Sequence, residues 1–267
     1  PGAHSTEVFT EAAVAYLEGR GKAAGGNTPS QPFFLYTAFM APHDPRSMPK
    51  KFQDMFKPED IEVPENFAPE HVFDYGIRNV RDEVLAPYPR TEAEVKQHIA
   101  EYYAMIAHLD DGIGRILAAL EASGERENTI IIFAGDNGLA LGQHGLFGKQ
   151  SAYEHSIRVP LIFNGPGIPA GETREQGCYL LDIFPTLVDL LDGDRPESVE
   201  GMSLAPMLAD RAAPATRDSM YFAYEDKLRA VKSGDWKLVE YAGEDVRETQ
   251  LFNLMDDPSE TANLAAG

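Results

Sequence analysis

Apolar positions recur at three- and four-residue spacing in two long stretches of the chain. The first carries Phe9, Ala13, Tyr16 and Leu17, with Ser5 and Thr6 as N-cap residues and Glu7 in the first turn, which predicts an amphipathic helix over 6–20. The second starts at Thr91, an N-cap followed by Glu92 and Glu94. It keeps its spacing through Ile99, Tyr102, Ile106, Leu109, Ile113, Ile116, Leu117 and Leu120 to Gly124, a C′ glycine. Residues 33–40 and 129–134 are instead almost continuously apolar, as in strands covered on both faces, and 159–163 predict a third strand. The first of these ends in Ala41-Pro42-His43-Asp44-Pro45, where two prolines stop a ladder. Residues 46–90 are rich in proline and charge without a period, and predict a long loop with short helical pieces. Asp182 is placed to cap a helix that runs to Leu191 and stops at Gly193.

Helix, strand, helix, strand, loop, strand, helix is the order of a mostly parallel α/β sheet flanked by helices. The pattern then changes. Residues 220–224, 228–232, 236–241 and 250–252 are short, alternating and separated by turn residues such as Ser233-Gly234-Asp235, which predicts a small antiparallel sheet. A Pro- and Ala-rich stretch at 205–216 sets that sheet off. The expected division is therefore an α/β portion over 1–204 and a small α+β subdomain over 205–267.

Composition narrows the function classes. The 267 residues hold 23 Lys plus Arg against 43 Asp plus Glu, a formal charge of −20, which argues against unspecific nucleic-acid binding. No apolar run approaches the length of a membrane span. Cys178 is the single cysteine, so no disulfide forms within the chain, and its surroundings suit a small buried hydrophobe. The chain opens Pro1-Gly2-Ala3-His4 with neither Met nor a leader pattern, and a helix begins almost at once.

Four places carry candidate chemistry. Asp136-Asn137-Gly138 follows the apolar run 129–134. Asn-Gly is the strongest local signal for a hairpin turn, yet the next strong strand lies about twenty residues on. The other reading is a pair of hard oxygen donors for Ca²⁺ or Mg²⁺ at the carboxyl end of a strand, where open α/β sheets bind ligands. Two ligands do not complete such a site. His43 lies just past another buried strand, as a structural loop histidine or a functional one. His144 and Lys149 sit in Gly142-Gln143-His144-Gly145-Leu146-Phe147-Gly148-Lys149, a glycine-rich loop that can approach an oxyanion without being a P-loop, Lys149 being otherwise a surface charge. Asp110 and Asp111 are about 100° apart on a helix and do not converge. His108 is expected to be structural, Asp182 an N-cap, and Trp236 an anchor of the small sheet.

Taken in order, these segments resemble the sulfatase family of the alkaline phosphatase superfamily. The resemblance is carried by Phe33-Phe34-Leu35-Tyr36 with Ala41-Pro42-His43-Asp44-Pro45, by His108-Leu109-Asp110-Asp111-Gly112-Ile113-Gly114-Arg115, by Gly135-Asp136-Asn137-Gly138, and by Gly148-Lys149 with Tyr153-Glu154 and Arg158-Val159-Pro160. Gly234-Asp235-Trp236-Lys237-Leu238 and Asp257-Pro258-Ser259-Glu260 resemble the family's small C-terminal domain. The resemblance implies that Asp136 and Asn137 are two ligands of a divalent cation, usually Ca²⁺. It implies that Lys149 contacts the sulfate and that His43 binds the ester oxygen and helps protonate the leaving alcohol. His144 lies near the substrate, while Tyr153, Glu154 and Arg158 support the Lys149 loop. A cation and a lysine stabilise charge on nonbridging oxygens, and histidine ordinarily titrates near neutrality.

The family's nucleophile is a formylglycine matured from Cys or Ser in Cys/Ser-x-Pro-x-Arg, and neither Cys178 nor Ser47-Met48-Pro49-Lys50-Lys51 supplies that pattern. The family's N-terminal Asp pair is missing as well. The expectation is thus the C-terminal part of a sulfatase, inactive alone, whose upstream remainder completes sheet and site. The expected substrate is a sulfated small molecule or glycan, and the family suggests a periplasmic or secreted bacterial setting. A phosphomonoester or phosphonate hydrolase of the same superfamily and a non-catalytic glycan-binding relative are the alternatives.

Overall fold

A computed structural model describes residues 4–23, 31–243 and 246–265. The chain divides into two compact units, Pro1–Val63 with Thr91–Thr129, and Pro64–Arg90 with Ile130–Gly267.

The first unit is helical: α1 spans Ser5–Ala23, α2 Lys50–Gln53 and α3 Glu92–Ser123. Thr91 caps α3 as expected: its hydroxyl accepts the Glu94 N–H at 3.3 Å and the Glu94 carboxylate accepts the Thr91 N–H at 3.0 Å. Gly124 ends it in the left-handed region, φ 78°. α1 buries Thr6, Thr10, Ala13 and Leu17, and α3 buries Val95, Ile99, Ala100, Ala104, Met105, His108 and Gly112. The buried stripe of α3 is thus partly a small-residue stripe, and Ile106 and Leu117, expected inside, are exposed. The cause is the close approach of α1: a Cβ on Gly112 would lie 2.5 Å from Thr10 Oγ1. His108 is structural, as expected, with Nε2 3.0 Å from Glu7 Oε1 and its ring stacked on Phe52 of α2.

Residues 33–40 correct the expected strand. They form no regular element and join no ladder among the described residues. Phe33 and Phe39 face α1, where they meet Tyr16 and Phe9, while Phe34, Tyr36 and Met40 are exposed. One side of the segment is thus covered by a helix, not both.

Among the described residues the second unit holds six strands. β1 (Ile131–Ala134) pairs with β2 (Leu161–Asn164), with α4 (Glu154–Ile157) between them, and α5 (Ile183–Leu190) and α6 (Ala205–Ala209) follow. The pairing is antiparallel, with Ala134 opposite Leu161, which corrects the expected parallel arrangement among the described residues. The segment joining β1 to β2 is long enough for a crossover. It instead folds back on itself, so that Gly135 N–H donates to Pro160 O at 3.1 Å.

The small sheet forms as the alternation predicts, from β3 (Met220–Tyr224), β4 (Leu228–Ser233), β5 (Trp236–Tyr241) and β6 (Glu248–Asn253) in antiparallel order. Leu228, Ala230, Val239, Tyr241 and Phe252 pack with Tyr75, Ile77, Ala140, Leu146, Ala152 and Tyr153 in one apolar core. Trp236 does not anchor the sheet. It opens β5 on the outward face and is half exposed, because the alternation puts Lys237, Val239 and Tyr241 inside. Asp182 stands at the N-cap position of α5, but its side chain makes no cap. It is buried and turned to Arg217, 2.5 and 2.9 Å away, with the Tyr179 and Met202 N–H groups at 2.8 Å. Cys178 is half-buried, and burial pushes its thiol pKa up. Among the described residues no helix is long and apolar enough to cross a membrane.

Candidate functional site

Asp136 and Asn137 follow β1 directly, and both are exposed. Asp136 Oδ1 accepts the Asn137 N–H at 2.9 Å, and Asn137 Nδ2 donates to Gly138 O at 2.8 Å. The amide nitrogen is thereby turned to the backbone, so the atoms left for a ligand are oxygens: Asn137 Oδ1 and the second carboxylate oxygen of Asp136. That donor set fits a hard cation such as Ca²⁺ or Mg²⁺. Gly138 does not turn a hairpin. Its N–H donates to Ser156 O at 2.8 Å, and a Cβ there would lie 1.8 Å from His155 O, so the residue marks a close backbone approach.

The glycine-rich loop lies beside this turn. Ala140 N–H donates to Gly148 O at 2.9 Å and Gly142 N–H to Leu146 O at 2.8 Å, so Asp136, Asn137, His144 and Lys149 belong to one knitted segment. The Lys149 backbone N–H donates to Gln150 Oε1 at 3.0 Å, and among the described residues no carboxylate pairs with its ammonium. Residues 64–90, legible in the sequence only as loop, supply the support. Glu83 is 1% exposed; it accepts the Gly148 N–H at 2.8 Å, the Phe147 N–H at 3.1 Å, the Tyr88 hydroxyl at 2.8 Å and Arg90 at 2.7 Å. Arg90 is equally buried and faces the rings of Tyr88 and Phe147. Gln150 donates onward to Asp82 at 3.1 Å.

His144 packs inward. Its ring stacks on Tyr153 at 3.8 Å, and Asn66 Nδ2 donates to its Nε2 at 3.1 Å and to Ser259 O at 2.9 Å. Burial first, then the neighbouring His71 and Lys237, holds its pKa down at about 4, so the imidazole is neutral at pH 7. His71 reaches Tyr153 Oη at 3.0 Å, and His155 lies 3.2 Å from Ser151 Oγ; burial lowers the pKa of both. Tyr153 Oη donates to Gln250 at 2.9 Å, and burial lifts the phenol pKa to about 12. Glu154 faces Lys232 and Lys237, and Lys237 Nζ also meets Glu260 and donates to Ala152 O at 2.8 Å. Burial alone would raise the Glu154 pKa; the two lysines outweigh it and bring it below the usual carboxylate range.

His43 belongs to the first unit. Its backbone N–H donates to Met40 O at 3.0 Å, and its Nδ1 is 2.9 Å from the Asp44 carboxylate, a contact that orients an imidazole. Asp110 and Asp111 stay exposed on α3, with Lys51 3.9 Å from Asp111.

Family models match this chain over nearly all its length: Sulfatase over residues 1–193, and N-sulphoglucosamine sulphohydrolase, C-terminal, over 142–266. An arylsulfatase of Clostridium perfringens is 34% identical over 248 residues, covering 88% of this chain and 50% of that protein. Among solved structures, BT4656 in complex with its substrate D-glucosamine-2-N,6-O-disulfate superposes with a TM-score of 0.79 at 23% identity, covering 99% of this chain and 66% of that one. The phosphonate monoester hydrolase of Agrobacterium radiobacter superposes with a TM-score of 0.77 at 27% identity, covering 95% and 56%. These matches bear out the α/β, alkaline-phosphatase-like class. The chain spans about half the length of the curated relatives it matches. By the Sulfatase model's match to most of its length, the chain belongs to the sulfatase family of the alkaline phosphatase superfamily.

Proposed function

We propose that this chain carries part of the site of a metal-dependent sulfatase that hydrolyses sulfate monoesters of a sulfated carbohydrate. The observation that carries the reading is the joining of the oxygen-bearing Asp136-Asn137 turn to the Lys149 loop through the Ala140–Gly148 hydrogen bond. Asp136 and Asn137 would hold a divalent cation, Ca²⁺ or Mg²⁺, which when bound would neutralise charge on the nonbridging sulfate oxygens. The Lys149 ammonium, without a carboxylate partner among the described residues, would bind the same oxygens. His43, oriented by Asp44, would hydrogen-bond the bridging oxygen and give the departing alcohol its proton. His144 would border the substrate through ring atoms other than Nε2, which Asn66 occupies. The nucleophile would be a formylglycine of the remainder of the parent protein, since no Cys/Ser-x-Pro-x-Arg occurs here. On this reading the chain alone is inactive, residues 1–204 belong to the catalytic portion and 205–267 form a small subdomain around β3–β6.

The carbohydrate substrate class is supported by a neighbour's ligand, a glucosamine carrying an N-sulfate and a 6-O-sulfate, and by the sulphoglucosamine family model. A second reading, hydrolysis of phosphonate or phosphate monoesters, is favoured by the likeness to the Agrobacterium radiobacter enzyme. Turnover by the complete protein of matched sulfate, phosphate and phosphonate monoesters decides between them. Sulfate turnover that disappears with chelator and falls about 100- to 1000-fold, to a measurable remainder, with Lys149→Ala is the expected result. Preference for the phosphorus esters sustains the second reading, and turnover of none of them leaves the glycan-binding alternative. Sulfate turnover by this 267-residue chain alone with Ca²⁺ would overturn the assignment of the nucleophile elsewhere.

A further inference from the structure

Among the described residues Lys149 is anchored only by its backbone, so its ammonium can be no better placed than the loop that carries it. That loop is gripped at the two residues before Lys149 by one carboxylate. Glu83 Oε1 lies 2.8 Å from the Gly148 nitrogen, and both of its oxygens are within 3.2 Å of the Phe147 nitrogen. The far side of the carboxylate is closed by Arg90 at 2.7 Å and the Tyr88 hydroxyl at 2.8 Å. Arg90 in turn donates to Glu83 O at 2.9 Å and to Gly145 O at 3.4 Å, and its guanidinium faces the Phe147 ring at 4.8 Å. Glu83 and Arg90 are 1% and 2% exposed. Taking such a pair from water is costly unless every lone pair and proton finds a partner. Here the carboxylate spends its remaining acceptor capacity on the backbone next to Lys149 and on nothing else among the described residues.

We infer that Glu83 is a positioning residue of the reaction: with Arg90 it sets where the Lys149 ammonium meets the anionic substrate group. This rests on the reading of Lys149 as the sulfate-binding cation. It also specifies which atom matters. An ionised carboxylate offers acceptors in every direction that a donor approaches, whereas a glutamine must turn an NH₂ toward either the Phe147–Gly148 amides or Arg90. Glu83→Gln therefore keeps size and shape while setting donor against donor on one side.

The test has two arms. In the complete protein, amide hydrogen exchange at Phe147 and Gly148 is expected to quicken in Glu83→Gln while the amides of β4 and β5 keep their protection. Unchanged exchange at those two amides overturns the inference. In the complete protein, Glu83→Gln is expected to lower kcat/KM about 100-fold, the scale of a misplacement of about 1 Å. Adding Glu83→Gln to Lys149→Ala should then cost almost nothing further. Losses that multiply show that Glu83 acts apart from Lys149, and they overturn the inference. Should Glu83→Gln not fold, Tyr88→Phe removes one hydrogen bond from the same carboxylate. A loss of about three- to tenfold that vanishes in the Lys149→Ala background is expected there, and a loss that persists in that background overturns the inference. If Lys149→Ala leaves turnover intact while exchange has quickened, the reading of Lys149 has failed. If Lys149→Ala cuts turnover about 100-fold or more while exchange is unchanged, only the role of Glu83 has failed.

Discussion

Lys237 Nζ lies 3.2 Å from Glu154 Oε1 inside the second unit, and the same ammonium meets Glu260 and donates to Ala152 O at 2.8 Å. Lys237 is fully buried on the inward face of β5, so a strand of the small sheet ties down the segment just past the Lys149 loop. Removing one partner from a buried ionic group leaves uncompensated charge behind. Lys237→Ala is expected to destabilise the chain by about 3–5 kcal/mol, read as a fall in the urea midpoint. Lys237→Met with Glu260→Gln should recover part of the loss; a cost below about 0.5 kcal/mol for Lys237→Ala would show that the ion pair is not felt.

Acid should loosen the same region. His144 has its pKa lowered to about 4 in the folded chain by burial and by the His71 and Lys237 charges, while Asp257 works in the opposite sense. In the unfolded chain it returns to about 6.5. The unfolded state therefore takes up the proton first, and stability falls as pH drops from about 6.5 toward 4, with no effect above that window. The His144 share is about 2 kcal/mol at pH 5, and His71 and His155, both also lowered, add to it in the same direction. Urea unfolding at pH 7 and pH 5 measures the loss, and His144→Asn should flatten it. An equal pH slope in wild type and variant would count against the buried neutral imidazole.

The cation site gives a third test. With Asn137 Nδ2 committed to Gly138 O, the outward amide atom is Oδ1. Calorimetric Ca²⁺ titration of the complete protein should show Asp136→Ala weakening binding at least about tenfold, or 1.4 kcal/mol. Asn137→Asp, which keeps an oxygen in the same place, should bind better than Asn137→Ala. Equal affinity in Asp136→Ala and wild type would remove the turn from the metal site.

Much of this was legible in residue order, and what was not has identifiable causes. The capping box at Thr91 and Glu94, the Gly124 stop and the four strands of the small sheet are local signals, and local chemistry decides them. Pairing direction is not local: the run 129–134 reads the same whether its partner is parallel or antiparallel, and the fold-back of the segment between the strands decides it. Residues 33–40 have a strand's composition but a helix on one side only. The candidate residues on the Asp136 and Lys149 loops stand out only through the order of segments that together resemble the sulfatase family, each motif being weak by itself. Glu83 and Arg90 do not stand out, since in sequence they are two ordinary charges in a proline-rich stretch and only burial makes them exceptional. Lys237 is of the same kind: beside Trp236 it reads as an ordinary charge, and only its full burial marks it out.

The Asn137-Gly138 dipeptide separates a hairpin turn from a close approach, and substitution can tell them apart. In a turn, glycine is needed for its backbone angles, and the space around its Cα is open. Gly124 is of that kind, with φ 78° and nothing within 4 Å of a built Cβ. Gly124→Ala should cost about 1–2 kcal/mol from strain alone and leave the neighbouring segments in place. Gly138 is the opposite case: a Cβ would sit 1.8 Å from His155 O and 2.8 Å from His155 C, both backbone atoms that cannot rotate away. Gly138→Ala must push the Asp136-Asn137 turn off the His155–Ser156 backbone and break the 2.8 Å bond to Ser156 O. The expected cost is about 1–3 kcal/mol, as for overpacking, and Ca²⁺ affinity in the complete protein should fall with it. Gly124→Ala, at the C-cap of α3 with open space around its Cβ, should lose stability with Ca²⁺ affinity unchanged. Stability loss below about 0.5 kcal/mol in Gly138→Ala, with Ca²⁺ affinity intact, would return the dipeptide to an ordinary turn.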